Sequence, residues 1–224
     1  MSLSHADRPL GQGAQVMTIR SRFFRLLSLL PDGPWIWWAK AGQLESRGEY
    51  RNGKREGPWE RYYENGQLEF RGHYTDGRRD GAWEMFHENG RLKVRGGSRR
   101  GRPDGCFERY YANGRLEERS TYCNGEKTGV FEKFHPNGRL MEKGNCLRSN
   151  THGLSELDGW LTSYYPNGQL KRQGNFVCGR KTGCWQYYYD NGQLGKREHY
   201  KDGMLDGPWE YFDENGQLIN KTTY

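Results

Sequence analysis

Gly57-Pro58-Trp59-Glu60-Arg61-Tyr62-Tyr63-Glu64-Asn65-Gly66-Gln67-Leu68-Glu69-Phe70-Arg71-Gly72-His73-Tyr74-Thr75-Asp76-Gly77-Arg78-Arg79-Asp80-Gly81 decides the fold. Asn65-Gly66 separates two aromatic-rich runs. That is a strong short-range hairpin signal, because both residues tolerate positive φ. The same frame returns at Asn89-Gly90, Asn113-Gly114 and Asn137-Gly138, 24 residues apart. After a six-residue insertion it resumes at Asn167-Gly168, Asn191-Gly192 and Asn215-Gly216, and Ala41-Gly42 is a degenerate earlier copy. A fixed period of this length marks stacked repeats, each unable to bury its apolar side alone.

Eight units start at Gly33, Gly57, Gly81, Gly105, Gly129, Gly159, Gly183 and Gly207. Two residues on stands a large apolar group, such as Trp59, Phe131, Leu161 or Trp185. Three further on comes a ring in every unit, such as Tyr62, Phe86 or Tyr188, and a Leu follows each turn, as at Leu68 and Leu194. Each unit therefore reads as strand, tight turn, strand, loop. A two-residue type I′ turn would set Tyr63 opposite Leu68. A three-residue Glu-Asn-Gly loop with a bulge would set Tyr62 there. The joint recurrence of ring and Leu favours the second, since paired positions are constrained together. Glycines recur in the second strand (Gly48, Gly72, Gly96, Gly144, Gly174). Glycine weakens a strand interior, so the expectation is room for a crossing ring, that of the unit's own Trp. Loops such as Gly77-Arg78-Arg79-Asp80-Gly81 are expected to turn the chain into the next hairpin. The predicted fold is all-β: an elongated antiparallel meander of about eight 24-residue hairpins over residues 33–224, with an insertion within 147–158. Residues 1–32 are expected to form an N-terminal tail and a short capping segment, read as a helix.

Hydrophobic residues are 33% of the chain while aromatics are 14%, so apolar stripes of large rings replace a single large core. A net charge of +7 suits acidic partners without selecting among them. Five cysteines, an odd number without a CxxC, read as reduced thiols in a cytoplasmic protein. No stretch is long enough to span a bilayer. Phe23 to Leu30, interrupted by Arg25, reads as the cap; its alternative is an anchor on an anionic membrane surface.

The pattern Gly-x-Trp-x-x-Tyr-Tyr-x-Asn-Gly-x-Leu, then Gly-x-Tyr-x-x-Gly-x-x-x-Gly, resembles the MORN repeat, and in particular the variant in YwqK-type antitoxins. Residues 57 to 81 carry it almost whole, through Gly57, Trp59, Tyr62, Tyr63, Asn65, Gly66, Leu68, Gly72, Tyr74, Gly77 and Gly81. The resemblance implies one of two roles. The first is an immunity protein that binds and sterically blocks a cognate toxin. The second is a MORN scaffold on anionic lipid. Departures from the repeat lie at Ser98 with Arg99, Arg100 and Arg102, in the insertion, and in residues 1–32.

No catalytic constellation, metal spacing or phosphate-cradling loop is present, so the chain is read as non-enzymatic, with no cofactor, no metal site and no specific nucleic-acid signal. Two stripes are candidates for partner binding. The first is the ring slot Tyr63, His87, Tyr111, His135, Tyr165 and Tyr189, where each ring offers area and a polar tip unless it packs between hairpins. The second is basic, at the expected inter-hairpin loops: Arg78, Arg79, Arg99, Arg100, Arg102, Arg180 and Lys181, with Lys54, Arg55 and Lys127 in the same positions.

Overall fold

The computed structural model describes residues 15–16, 32–39, 42–148 and 155–222. The chain divides into two compact units, residues 1–90 and 91–224. In the first, β1 (Gln15–Val16) lies parallel to β2 (Gly33–Trp38). β3 (Leu44–Arg51), β4 (Lys54–Tyr62), β5 (Leu68–Thr75) and β6 (Arg78–Phe86) follow as an antiparallel meander. Gln15–Val16 lies on the β2 edge as a strand; the expected capping segment, Phe23 to Leu30, lies outside the described residues.

In the second unit the same meander runs from β7 (Leu92–Arg99) through β9 (Gly105–Tyr110), β10 (Leu116–Cys123), β11 (Glu126–Phe134) and β12 (Leu140–Arg148). It continues with β14 (Gly159–Tyr164), β15 (Leu170–Val177), β16 (Arg180–Tyr188), β17 (Leu194–Lys201), β19 (Trp209–Phe212) and β20 (Leu218–Thr222). Short pieces β8 (Arg102–Pro103), β13 (Ser155–Leu157) and β18 (Met204–Leu205) precede β9, β14 and β19. Each is cut off where an Asp N–H (Asp104, Asp158, Asp206) donates back to Gly97, Asn145 or His199.

The hairpin turns take the three-residue form. Tyr63 N–H donates to Gln67 O at 2.8 Å, Gly66 N–H to Tyr63 O at 2.9 Å, and Tyr62 pairs with Leu68. Gly66 has φ 80°, which only glycine adopts without strain. The Asn65 side-chain oxygen accepts from Gln67 N–H at 2.9 Å, so Asn closes its own loop.

The connections between hairpins differ from expectation. Six of them are two-residue turns, Asn52-Gly53 and Asp76-Gly77 among them, with both residues at positive φ. Such turns match the twist of the strands they join. Arg78 to Gly81 therefore belong to a strand. At two turns the first residue is neither Asn nor Asp: Arg100 (φ 51°) and Cys178 (φ 48°).

The buried rings line one face of each unit. Trp35, Trp59 and Trp83 are buried with Tyr50 and Phe70 in the first. In the second, Phe131, Cys146, Leu161 and Trp185 form a cluster, and Trp185 is 0% exposed. The second-strand glycines do make room for rings, but at Gly48, Gly96 and Gly174 the ring comes from the next repeat, while at Gly144 the unit's own Phe131 shares the space with Leu161 of the next. A Cβ on Gly48 would sit 2.3 Å from the Trp59 ring, and one on Gly174 2.2 Å from Trp185. The cause is a hydrogen bond: Trp59 Nε1 donates to Glu49 O, and Trp185 Nε1 to Asn175 O, each at 3.1 Å. That bond lays each indole back across the preceding hairpin. Burying such a ring stabilises by roughly 2–3 kcal/mol, and here it joins two repeats.

Candidate interaction surface

The first sequence-predicted stripe is an internal staple. Tyr63 donates its hydroxyl to Phe86 O at 2.7 Å, one repeat on. Tyr111 does so to Phe134 O at 2.7 Å, Tyr165 to Tyr188 O at 2.8 Å, and Tyr189 to Phe212 O at 2.9 Å. His135 Nε2 lies 2.9 Å from Tyr164 O, across the insertion. The rings are half-buried, as is His87, and burial pushes the hydroxyls of Tyr63, Tyr111 and Tyr165 up from their ordinary range. The slot's polar tips are committed between hairpins, so what it offers outward is ring edge alone.

The second stripe splits in two. Its inner members stand over core rings: Arg79 is 5.0 Å from the Trp83 centroid, and Lys181 is 4.6 Å from both Trp185 and Tyr200. Arg55 over Trp59 and Lys127 over Phe131 repeat the arrangement at 4.4 and 4.5 Å. Cations held over ring faces in this way stabilise the sheet. Arg78, Arg99, Arg100, Arg102 and Arg180 are exposed, and Arg99 lies 3.7 Å from Asp104.

Sequence reasoning missed a charge ladder on the face opposite the indoles. In the second unit one residue per strand forms a row by register: Arg95, Glu108, Arg119, Glu132, Lys143, Thr162, Gln173, Gln186, Arg197, Glu210 and Lys221. Glu108 pairs with Arg95 and with Arg119 at 3.0 Å, and Glu132 pairs with Lys143 at 3.1 Å. Glu210 pairs with Arg197 at 2.9 Å and Lys221 at 3.2 Å. Burial alone would raise the Glu108 carboxyl, but hydrogen bonds from Tyr110, Arg95 and Arg119 outweigh it and hold the group below its usual range. The first unit has the same pairs, Arg47 with Glu60 and Arg71 with Glu84. There burial and Glu60 push the Tyr62 hydroxyl up to about 12. The signal was available as a 24-residue recurrence of Glu one place after the indole slot.

At Thr162, Gln173 and Gln186 the ladder is neutral, and Gln173 Nε2 donates to Gln186 Oε1 at 2.7 Å instead. From β11 to β15 this face carries large exposed apolar groups: Trp160 at 64%, Val130 at 55%, Val177 at 52% and Leu147 at 49%. Trp160 pairs with Asn175 and Val130 with Asn145, so amides stand opposite them. In the slot of Trp160 the other repeats carry Pro34, Pro58, Ala82, Cys106, Val130, Cys184 and Pro208.

Among the described residues, no group of three or more His, Cys, Asp or Glu is placed to hold a metal ion. No helix among them is long and apolar enough to cross a membrane.

The repeat is one already known. The model of the MORN repeat variant matches residues 31–52, 55–76, 79–96, 103–124, 127–145, 157–177, 181–202 and 205–224. These matches cover well over half of the sequence, and the chain belongs to that family. No curated protein matches it significantly. Among solved structures, the crystal structure of TcdB2-TccC3 is similar at 13% identity and TM-score 0.23, over 84% of this chain and 12% of that one. That of TcdB2-TccC3-Cdc42 is similar at 12% identity and TM-score 0.22, with the same coverage. This chain thus spans about an eighth of their length, and a likeness so weak bears on neither fold nor function.

Proposed function

We propose that this protein is a non-enzymatic protein-binding repeat module, and within that class an immunity protein that blocks a cognate toxin by covering it. One observation carries the reading. The polar tips of the repeat (Tyr63, Tyr111, Tyr165, Tyr189, the Trp59 and Trp185 indoles) are consumed between neighbouring hairpins. That leaves a preformed sheet face, and a preformed face loses little entropy on binding. Membership in the MORN repeat variant family supports a binding role; the antitoxin role rests on the likeness of residues 57–81 to the antitoxin variant.

The test is co-expression with the product of the adjacent open reading frame. The expected result is a co-purifying complex and relief of growth arrest caused by that product alone. A harmless neighbour that does not co-purify would sink the immunity reading.

A further inference from the structure

The ladder face of the second unit loses its charge from β14 to β16, and exposed apolar surface runs from β11 to β15, overlapping that stretch at Trp160 and Val177. Thr162, Gln173 and Gln186 follow one another on adjacent strands; Trp160 and Val177 stand on the first two of these strands, and Val130 and Leu147 on β11 and β12 next to them, each about half exposed or more. Trp160 points to solvent, so it adds little to the core, and Leu161 next to it is 3% exposed on the opposite side. An exposed indole with amides opposite and aliphatic groups around it, and with Glu156 and Arg180 at the edge as register partners of Leu147 and Val177, has the composition of an interface with an apolar centre and a charged rim. Clustered exposed apolar area of this kind marks an interaction site.

We infer that this neutral window, centred on Trp160, is the docking centre for the partner, and that the partner presents an uncharged apolar surface to it. The inference rests on the protein-binding reading above and names the surface and the partner's chemistry. Charge complementarity selects the occupant. An acidic or basic partner surface would lose hydration over Thr162, Gln173 and Gln186 and meet no counter-charge there. A second copy of this chain fits poorly. A twofold axis along β14 would set Arg119 against Arg197, Glu108 against Glu210 and Arg95 against Lys221. Each of those residues lies the same number of strands from Thr162 as its mate. Like charges facing each other disfavour that dimer.

The experiment uses the full chain and, as probe, the product of the adjacent open reading frame. Wild type, Trp160→Asp, Trp160→Ala and Lys171→Glu are compared. Lys171 lies over the Tyr165 ring and serves as a control. Unchanged thermal melting shows that each variant is folded. Trp160→Asp is expected to weaken binding on the order of a hundredfold or more, the loss typical of an interface centre, with Trp160→Ala intermediate. Lys171→Glu is expected to change little. Affinity should shift less than about threefold between about 0.05 M and 0.5 M salt, because screening acts on charged contacts. A complex that survives Trp160→Asp unchanged, or one that falls apart in salt, overturns the neutral window while leaving the protein-binding reading intact. No complex with wild type removes both. A wild-type homodimer that Trp160→Asp converts to monomer also overturns the inference, in favour of a second copy.

Discussion

Arg95 to Lys143 and Thr162 to Gln186 are two stretches of one row, built on the same strand pairing and backed by the same aromatic face. The first is a chain of ion pairs centred on Glu108 and Glu132. The second has no formal charge and one amide-amide bond, Gln173 to Gln186. Beneath the first lies Phe131 at 4% exposure, and beneath the second lie Leu161 at 3% and Trp185 at 0%. The buried face is kept while the outer face changes. Ion pairs with a half-exposed Arg or Lys stabilise little, so a repeat can lose them and still fold. The outer face is therefore where this chain is free to differ from repeat to repeat, and that freedom is what a partner can exploit.

The largest effects are expected on the buried face, in equal measure under both stretches. Phe131→Ala and Trp185→Ala should each cost about 3–5 kcal/mol, read from chemical denaturation. Their near equality is the point. If Trp185→Ala were tolerated, the neutral stretch would be held by something other than its indole, and the two stretches would not share a foundation.

A smaller contrast lies on the ladder itself. Glu108→Ala leaves Arg95, Arg119 and the Tyr110 hydroxyl without their common acceptor, at a cost of about 1–3 kcal/mol. Gln186→Ala removes only neutral hydrogen bonds, from Gln173 and the Tyr188 hydroxyl, and should cost less, about 0.5–1.5 kcal/mol for each bond. Equal losses in the two variants would show that the charges add nothing beyond ordinary hydrogen bonding.

Much of this architecture can be read in the chain, and the limits of that reading have a physical cause. The turn at Glu64-Asn65-Gly66 and the pairing of Tyr62 with Leu68 are local, so spacing and joint recurrence reveal them. The ring over Gly48 is not local. Trp35 faces Gly48 in register, yet the ring across it is Trp59's, and only the bond from Trp59 Nε1 to Glu49 O decides between them. The Tyr63 hydroxyl is a similar case, since its acceptor Phe86 O lies 23 residues on and any backbone carbonyl looks alike in sequence. The basic stripe misled for another reason. The turns are two residues long, Asp76-Gly77 and Cys178-Gly179 here, which moves Arg79 and Lys181 into strands, where they stand over rings. The ladder was legible as a recurrence of Glu and Arg, but its meaning as one row needs the strand register.

Acid separates the two stretches by their titration. The Glu60 and Glu108 carboxyls are held below their usual range: burial acts to raise both, and hydrogen bonds from Arg and Tyr more than offset it. A carboxyl with a depressed folded value contributes stability that is present above its unfolded value and is lost as pH falls through the folded one. Stability should therefore drop as pH falls from about 5 towards 3, across the carboxylate range. Amide hydrogen exchange should rise first in β9 and β10, around Glu108, and later in β15 and β16, where the row has nothing to titrate. Simultaneous loss of protection in both places would mean that acid acts on the unit as a whole.

The smallest expected effect is the one that bears most directly on why the window is neutral. Thr162→Glu with Gln173→Arg would extend the ladder, placing a carboxylate beside Lys143 and a guanidinium beyond it, in the register that joins Glu132 to Lys143. Exposed pairs of this kind add at most about 1 kcal/mol, so the double variant should melt close to wild type. Its far-ultraviolet circular dichroism should be unchanged as well. If it folds normally, nothing in folding requires Thr162 and Gln173, and their neutrality is kept for the outer surface. If instead it loses more than about 2 kcal/mol, beyond what an exposed pair can account for, then the neutral stretch is a folding constraint imposed by its neighbours Trp160 and Asn175. In that case the freedom of the outer face ends at β14.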